Sequence, residues 1–187
     1  MSESLKTFAE LEVFLSRFTN YERLQFMPYD RETFGVERMR SFASELGDPQ
    51  ERYPSIHVAG TKGKGSTCLI VEALLSACGR SVGTYLSPHV EHMRERIRVR
   101  GRSLEEGEMV EDSSALIPAL SHRTRTSGEF PTFFEIMTAI AMVSFARRGV
   151  DWGVFEVGLG GRLDATNILR PRISAITSIG LEHTQQL

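Results

Sequence analysis

The chain has little cysteine: only Cys68 and Cys78 occur in 187 residues. Their spacing matches no metal-binding pattern, so both read as reduced thiols of a cytoplasmic protein. Long hydrophobic runs are missing too. The longest, Ile136 to Ala146, is too short to span a bilayer and is interrupted by Thr138 and Ser144. Nor is one sign of charge in excess: 22 basic against 24 acidic side chains leave a net charge of −2. That balance exerts no global pull on nucleic acid or an anionic membrane, and neither is expected as a partner. The N-terminal stretch MSESLKTFAELEVFLSRF carries acids through its apolar periodicity and lacks a cleavage site, which excludes a signal peptide. Internal repeats and low-complexity tracts are absent. What is present is a globular composition, 41% hydrophobic and 25% charged.

Apolar spacing predicts helices over residues 5–18 and 34–46, the second stopped by Gly47 and Pro49. A strand over 55–59 runs into a glycine-rich turn and then a helix over 66–78. A strand over 81–86, a polar loop over 87–95 and an alternating strand over 97–100 follow. Residues 104–120 read as a helix interrupted by Pro118, 121–131 as a polar connector, and 132–148 as an apolar helix. Residues 152–157 and 173–179 read as buried strands flanking a glycine-bearing segment, 158–167. Alternating strands and helices predict an α/β fold, with a mostly parallel sheet flanked by helices and a phosphate-binding loop. In such a sheet ligands collect at the carboxyl ends of the strands, so the loops that follow strands should share one edge.

Gly60-Thr-Lys-Gly-Lys-Gly-Ser-Thr67 lies between a predicted strand and a predicted helix. Glycines let successive N–H groups turn inward, and the helix start adds the positive end of its dipole. Lys64 supplies a mobile charge. The match to G-x-x-x-x-G-K-[ST] is incomplete: Val58 stands where the first glycine belongs, and Gly65 follows the lysine. The competing reading is a glycine-rich helix entry with lysines in solvent. In the usual loop a hydroxyl at the Gly65 position holds Mg²⁺. Here that oxygen would come from Ser66 or, preferably, from Ser87 after the next strand.

Glu156 lies in the apolar run Val154-Phe-Glu-Val157. A buried acid needs a partner or a cation, and the choice lies between Arg162 and a metal. His183 follows the next strand. A carboxylate, a hydroxyl, an imidazole and phosphate oxygens make a mixed Mg²⁺ shell, of which imidazole is the least typical member. Glu135 opens the apolar helix beside Phe133 and Phe134. It reads either as a dipole partner or, with its aromatics, as the wall of a pocket for a flat heteroaromatic ring.

Together these segments resemble folylpolyglutamate synthase, often also dihydrofolate synthase, of the Mur ligase superfamily. The resemblance runs from about Phe34 to the last residue. It is carried by HVAGTKGKGST, YLSPHV, ERIRVRG, TFFE, FEVGLGGRLDATN and TSIGLEHT in that order. It implies a central-domain fold of that superfamily, with ATP and Mg²⁺ as cofactors. The implied reaction is ATP-dependent ligation of L-glutamate to a folate or dihydropteroate carboxylate through an acyl phosphate. It implies that Thr61, Lys62, Gly63, Lys64, Gly65 and Ser66 bind ATP. Ser87 and Glu156 would hold one Mg²⁺ and His183 another, with Lys64, Glu156 and His183 catalytic. Thr132, Phe133, Phe134 and Glu135, with Leu163, Asp164 and Ala165, would line the pterin pocket. Lys62 departs from the family, which usually has Asn there. Residues 1–187 are expected to form the N-terminal part of the ATP-binding domain, without the C-terminal ligase domain and inactive alone. The full-length protein is expected to be a monomer. Another amino-acid ligase of the superfamily and a non-catalytic nucleotide-binding fragment are the alternatives.

Overall fold

A computed structural model of the chain describes residues 5–23, 35–126 and 130–180. Its strands are β1 (Ser55–Ala59), β2 (Val82–Tyr85), β3 (Ile97–Val99), β4 (Arg102–Ser103), β5 (Trp152–Glu156) and β6 (Ile173–Ile176). They form one sheet in the order β4-β3-β2-β5-β1-β6. β2, β5, β1 and β6 run parallel, while β3 and β4 complete one edge antiparallel. The helices are α1 (Phe8–Leu15), α2 (Val36–Glu45), α3 (Lys64–Ala77), α4 (Glu106–Ser114), α5 (Ile117–Thr126) and α6 (Phe133–Arg147). The expected α/β class, with a mostly parallel sheet between helices, is what forms. Among the described residues no helix is long and apolar enough to cross a membrane.

Strand alternation sorts the core onto two faces. Ile56, Val58, Val82 and Val154 pack with Cys68 of α3 on one face. Tyr85 and Phe155 point the other way, into a larger core built with α6, α2, α1 and α4. Thr7 caps α1 through a reciprocal pair with Glu10, which fixes where that helix starts. α6 is buried from Glu135 to Phe145, as a helix apolar all round must be. The two hydroxyls that interrupt its apolar run are satisfied. Thr138 donates to the Phe134 carbonyl at 2.7 Å, and Ser144 donates to Asp112 at 2.6 Å.

Several elements differ from the sequence expectation, beginning with the helix predicted over 5–18, which runs from Phe8 to Leu15. The helix predicted over 104–120 is two helices. Pro118 stands in the first turn of α5, where a missing N–H breaks no helical bond, and α5 runs on into the predicted connector. β4 is a two-residue strand too short to leave a periodic signal. α3 begins at Lys64 rather than Ser66. The strand predicted as buried over 173–179 ends at Ile176 and is largely exposed: Ile173 and Ile176 are 52% and 68% accessible. It forms the sheet edge, where only Ala175 packs against the smaller core.

Gly83 of β2 and Gly153 of β5 face each other across the ladder. Their missing side chains leave a hollow filled by aromatic rings. A Cβ on Gly83 would overlap the Phe145 ring, and one on Gly153 would stand 2.6 Å from Tyr53. Phe145 and Tyr53 pack edge-on at 6.0 Å, and Phe145 meets Phe155 at 5.4 Å. Gly83→Ala should therefore destabilise the fold by about 1–3 kcal/mol through overpacking. Gly107→Ala in α4, with nothing within 4 Å of its Cβ, should be neutral or stabilising. Urea denaturation of both variants checks the contrast, and equal stabilities would contradict this packing.

Candidate nucleotide-binding site

β1 delivers the chain to Gly60, and the turn closes at Gly63, where α3 begins. Gly60 has φ +132°, and a Cβ there would overlap the Thr177 hydroxyl. Both conformation and space therefore exclude a side chain. Gly63 is left-handed at φ +79° and forms the N-cap with no side-chain hydrogen bond. Gly63 therefore leaves the first-turn N–H groups of α3 without a cap from the N-cap residue itself. Lys64 folds back so that Nζ donates to the Thr61 carbonyl at 3.3 Å. Lys62, Gly63 and Ser66 are exposed.

A strap after β6 laces onto this loop. Thr61 N donates to the Ser178 carbonyl at 2.9 Å, and Lys62 forms a bridge with Ser178. The Thr61 hydroxyl accepts from Gly180 N at 2.9 Å. This lacing joins residues more than a hundred positions apart and leaves no local signal in the sequence.

Glu156 ends β5 on the same face as Val154, which aims it at the start of α3. It is 6% accessible. Its Oε2 accepts the Ser87 N–H at 2.9 Å, and the Gly65 N–H also bonds the carboxylate. A Cβ on Gly65 would stand 3.3 Å from Oε2, so glycine is what allows this approach. Burial pushes the Glu156 carboxyl up from its ordinary pKa. The Ser87 N–H, the Lys64 charge and the Gly65 N–H pull against that rise. The structure therefore brings Lys64, Gly65, Ser87 and Glu156 together. β5 is an inner strand, and the partners found for Glu156 are the Ser87 and Gly65 N–H groups and the Lys64 charge. His183 lies outside the described residues.

Ser87 opens a loop closed by the Leu86 N–H to the Arg96 carbonyl at 2.8 Å. Glu95 organises it internally, accepting from Val90 N at 2.9 Å and His92 N at 2.8 Å, which holds its carboxyl below the usual range. Arg96 anchors it from beneath. Buried to 1% accessibility, Arg96 makes a bidentate pair with Glu22 at 2.8 and 2.6 Å, donates to His89 at 2.8 Å, and lies over the Phe133 ring at 5.3 Å. Sequence reading missed this hub. Arg96 looked like one of several arginines beside a two-faced strand, and its partner Glu22 is remote in the chain.

The aromatic half of the site occupies the opposite face of the same sheet edge. Thr132 and Glu135 cap α6 reciprocally, and Glu135 also binds Arg38 at 3.0 Å. The Phe134 ring lies 2.5 Å from where a Gly158 Cβ would stand, and 6.0 Å centre to centre from Tyr85. Asp164 is buried and accepts from Gly158 N and Leu159 N at 3.0 Å and from Thr166 N at 2.9 Å. Leu163 is half-buried and Ala165 buried beside it. Phe134, Gly158 and Asp164 thus stand together, and β5 joins them to the phosphate side.

A glycine-bearing loop between strand and helix, facing a buried acid from an inner parallel strand, defines an α/β nucleotide-phosphate-binding domain. No protein-family model matches the chain. The chain is a homologue of the folylpolyglutamate and dihydrofolate synthases. It is 39% identical over 171 residues to dihydrofolate synthase/folylpolyglutamate synthase of Bacillus subtilis, matching 89% of this chain and 40% of that one. It is 42% identical over 154 residues to a probable bifunctional folylpolyglutamate synthase/dihydropteroate synthase of Halobacterium salinarum, covering 82% of this chain and 19% of that one. Among solved structures, Escherichia coli FolC in complex with DHPP and ADP matches 97% of this chain and 40% of its own, with TM-score 0.80 and 36% identity. A bifunctional folylpolyglutamate synthase/dihydrofolate synthase with Mn, AMPPNP and L-glutamate bound also has TM-score 0.80, at 35% identity over 97% of this chain and 40% of its own. The chain therefore spans two fifths or less of the length of these relatives.

The raised pKa of Glu156 fixes a sign. Its ionised form costs stability once pH exceeds the unfolded-state pKa, fully so above the folded-state pKa, and not at all below both. Glu156→Gln keeps an acceptor for Ser87 and Gly65 and removes the charge. It should raise the thermal midpoint of the ligand-free protein near neutral pH, with the gain shrinking towards about pH 4. A midpoint lowered at neutral pH would contradict a net cost of burying this acid.

Proposed function

We propose that this chain forms the nucleotide and folate side of an ATP-dependent amide ligase. The ligase joins L-glutamate to a folate or dihydropteroate carboxylate. The observation that carries the reading is the buried Glu156 carboxylate held between the Ser87 and Gly65 N–H groups at the glycine-capped start of α3. Its solved relatives support the reading by the ligands their descriptions name: ADP and DHPP in one, Mn, AMPPNP and L-glutamate in the other.

In this reading the substrate carboxylate attacks the γ-phosphorus of ATP, and ADP departs. The glutamate amine then attacks the acyl carbon, phosphate leaves, and an amide remains. Backbone N–H groups from Thr61 to Ser66 hold the phosphates, with Lys64 neutralising charge on the transferred group. Lys62 adds a cation at the loop's rim. Mg²⁺, when bound, would supply Lewis-acid stabilisation of the charge that develops on the phosphates. Among the described residues no three His, Cys, Asp or Glu side chains cluster for a metal. The cation would therefore rest on Glu156, the Ser87 hydroxyl and ligand oxygens, which suits an ion that keeps several non-protein ligands. His183 serves a second ion. Thr132, Phe133, Phe134, Glu135, Leu163, Asp164 and Ala165 form the walls of the flat-ring pocket. Glu135 does so by holding the start of α6, since its carboxylate is engaged by Thr132 and Arg38.

The chain is the N-terminal part of the ATP-binding domain. The C-terminal domain completes the glutamate side, and ligation requires it. The complete protein acts as a monomer in the cytoplasm, without a nucleic-acid or membrane partner.

Titration calorimetry of the chain with ATP at stepped Mg²⁺ tests the metal assignment. Ser87→Ala should raise the Mg²⁺ needed for half-maximal binding about tenfold, and Ser66→Ala should raise it less. The reverse ranking would move the metal hydroxyl to Ser66. In the complete ligase, Lys64→Ala should lower kcat ~10²-fold or more with little loss of stability. Near-normal turnover would remove Lys64 from the chemistry.

A further inference from the structure

Among the buried titratable side chains to which the mechanism gives no role is His57, just ahead of the phosphate loop. His57 sits within β1, level with Phe155 of β5 and Ser174 of β6, and is 9% accessible. Strand alternation turns it away from Val58, towards the face that carries the segment after Gly158. Its Nε2 lies 2.7 Å from the Thr166 hydroxyl.

Counting protons fixes the direction of that bond. Thr166 is fully buried, and its hydroxyl donates to Asp164 Oδ1. Burial pushes the Asp164 carboxyl up, but four donors, the Gly158, Leu159 and Thr166 N–H groups and the Thr166 hydroxyl, favour it as the accepting carboxylate. With the hydroxyl's single proton placed there, Thr166 accepts towards His57 and the imidazole donates from Nε2. Burial drives the ring's pKa down to about 4, which keeps the imidazole neutral near pH 7. Asp164 spreads the line further. Its Oδ1 also takes the Thr166 N–H, and Oδ2 takes the Gly158 and Leu159 N–H groups. A continuous chain of hydrogen bonds thus runs from β1, just ahead of the phosphate loop, to the first turn after β5. Every donor in it has one acceptor, so the line is unbroken from His57 to Gly158.

We propose that His57 is a positioning residue: as a fixed Nε2–H donor it orients Thr166 and the Asp164 carboxylate, and so sets the shape of the Gly158–Ala165 wall against Phe134. This rests on the reading of that wall as the folate side of the site. Its consequence is selective. Loss of the relay loosens the flat-ring pocket and leaves the phosphate loop, on the other sheet face, nearly as it was.

The tautomer is read from imidazole ¹⁵N–¹H correlation spectra of the wild-type chain near pH 7. A protonated Nε2 with bare Nδ1 is expected, and the opposite tautomer overturns the relay. Thr166→Val keeps the side-chain shape without the hydroxyl, and Thr166→Ser restores the hydroxyl. In Thr166→Val the Gly158 and Leu159 amides should exchange with solvent at least about tenfold faster, and Thr166→Ser should reverse this. Dihydropteroate and Mg–ADP are then titrated into all three proteins. Thr166→Val should weaken dihydropteroate about tenfold while Mg–ADP stays within about twofold. Unchanged amide exchange, or equal losses for both ligands, overturns the proposal. If the wild-type chain binds Mg–ADP but no dihydropteroate, the folate reading of the wall falls, and the pocket half of the proposal falls with it. The tautomer and exchange results then decide the relay by themselves.

Discussion

The arrangement depends on one close approach, a buried carboxylate set against the first turn of a helix with no Cβ between them. Glu156 is held by backbone N–H groups from Gly65 and Ser87, and a side chain on Gly65 would press on its Oε2 at 3.3 Å. An acid in that position is under tension. Burial disfavours its charge, while two N–H donors and Lys64 favour it. Such a balance leaves negative charge set at the place where the start of α3 and a lysine supply positive charge. A cation held by this acid would offset the cost of burying its charge. The glycine after the lysine, which forfeits the usual metal hydroxyl, is what admits the acid.

The sheet supports this by dividing the edge into two halves. Alternation along β5 sends Glu156 to the α3 face and Phe155 to the α6 face. The loop after β5 then carries Asp164 beside Phe134. Arg96 stitches the halves from below, with the Ser87 loop above it, Phe133 beneath its guanidinium, and Glu22 neutralising it. Arg96 also adds to the positive potential at Glu156. Its burial is tolerated because a bidentate pair and a histidine satisfy the guanidinium.

Much of this was legible in the sequence, and the reasons are local. The strand–glycine–helix order around Lys64 marks a phosphate loop because few other backbones require those glycines. Glu156 stood out because an acid inside Val154-Phe-Glu-Val157 needs an explanation. Ser87 followed from the missing hydroxyl at Gly65. What escaped was long-range. The Thr61 lacing to Gly180, the Glu22–Arg96 pair and the His57–Thr166 contact join residues far apart in the chain. Each member of those pairs looks ordinary alone. The split of residues 104–120 into α4 and α5 was missed because Pro118 was read as an interruption when it starts a helix.

In the proposed arrangement a divalent cation on a nucleotide sits between the start of α3 and the ends of β2 and β5. Paramagnetic broadening of ¹H–¹⁵N spectra by Mn²⁺–ADP reports this directly, since the metal's effect falls steeply with distance. The account predicts that the Gly63–Ser66, Ser87 and Glu156 amides of the 187-residue chain are the first to vanish, with Mg²⁺–ADP as the diamagnetic control. Loss of signals elsewhere first, with Gly65 and Ser87 spared, would contradict it.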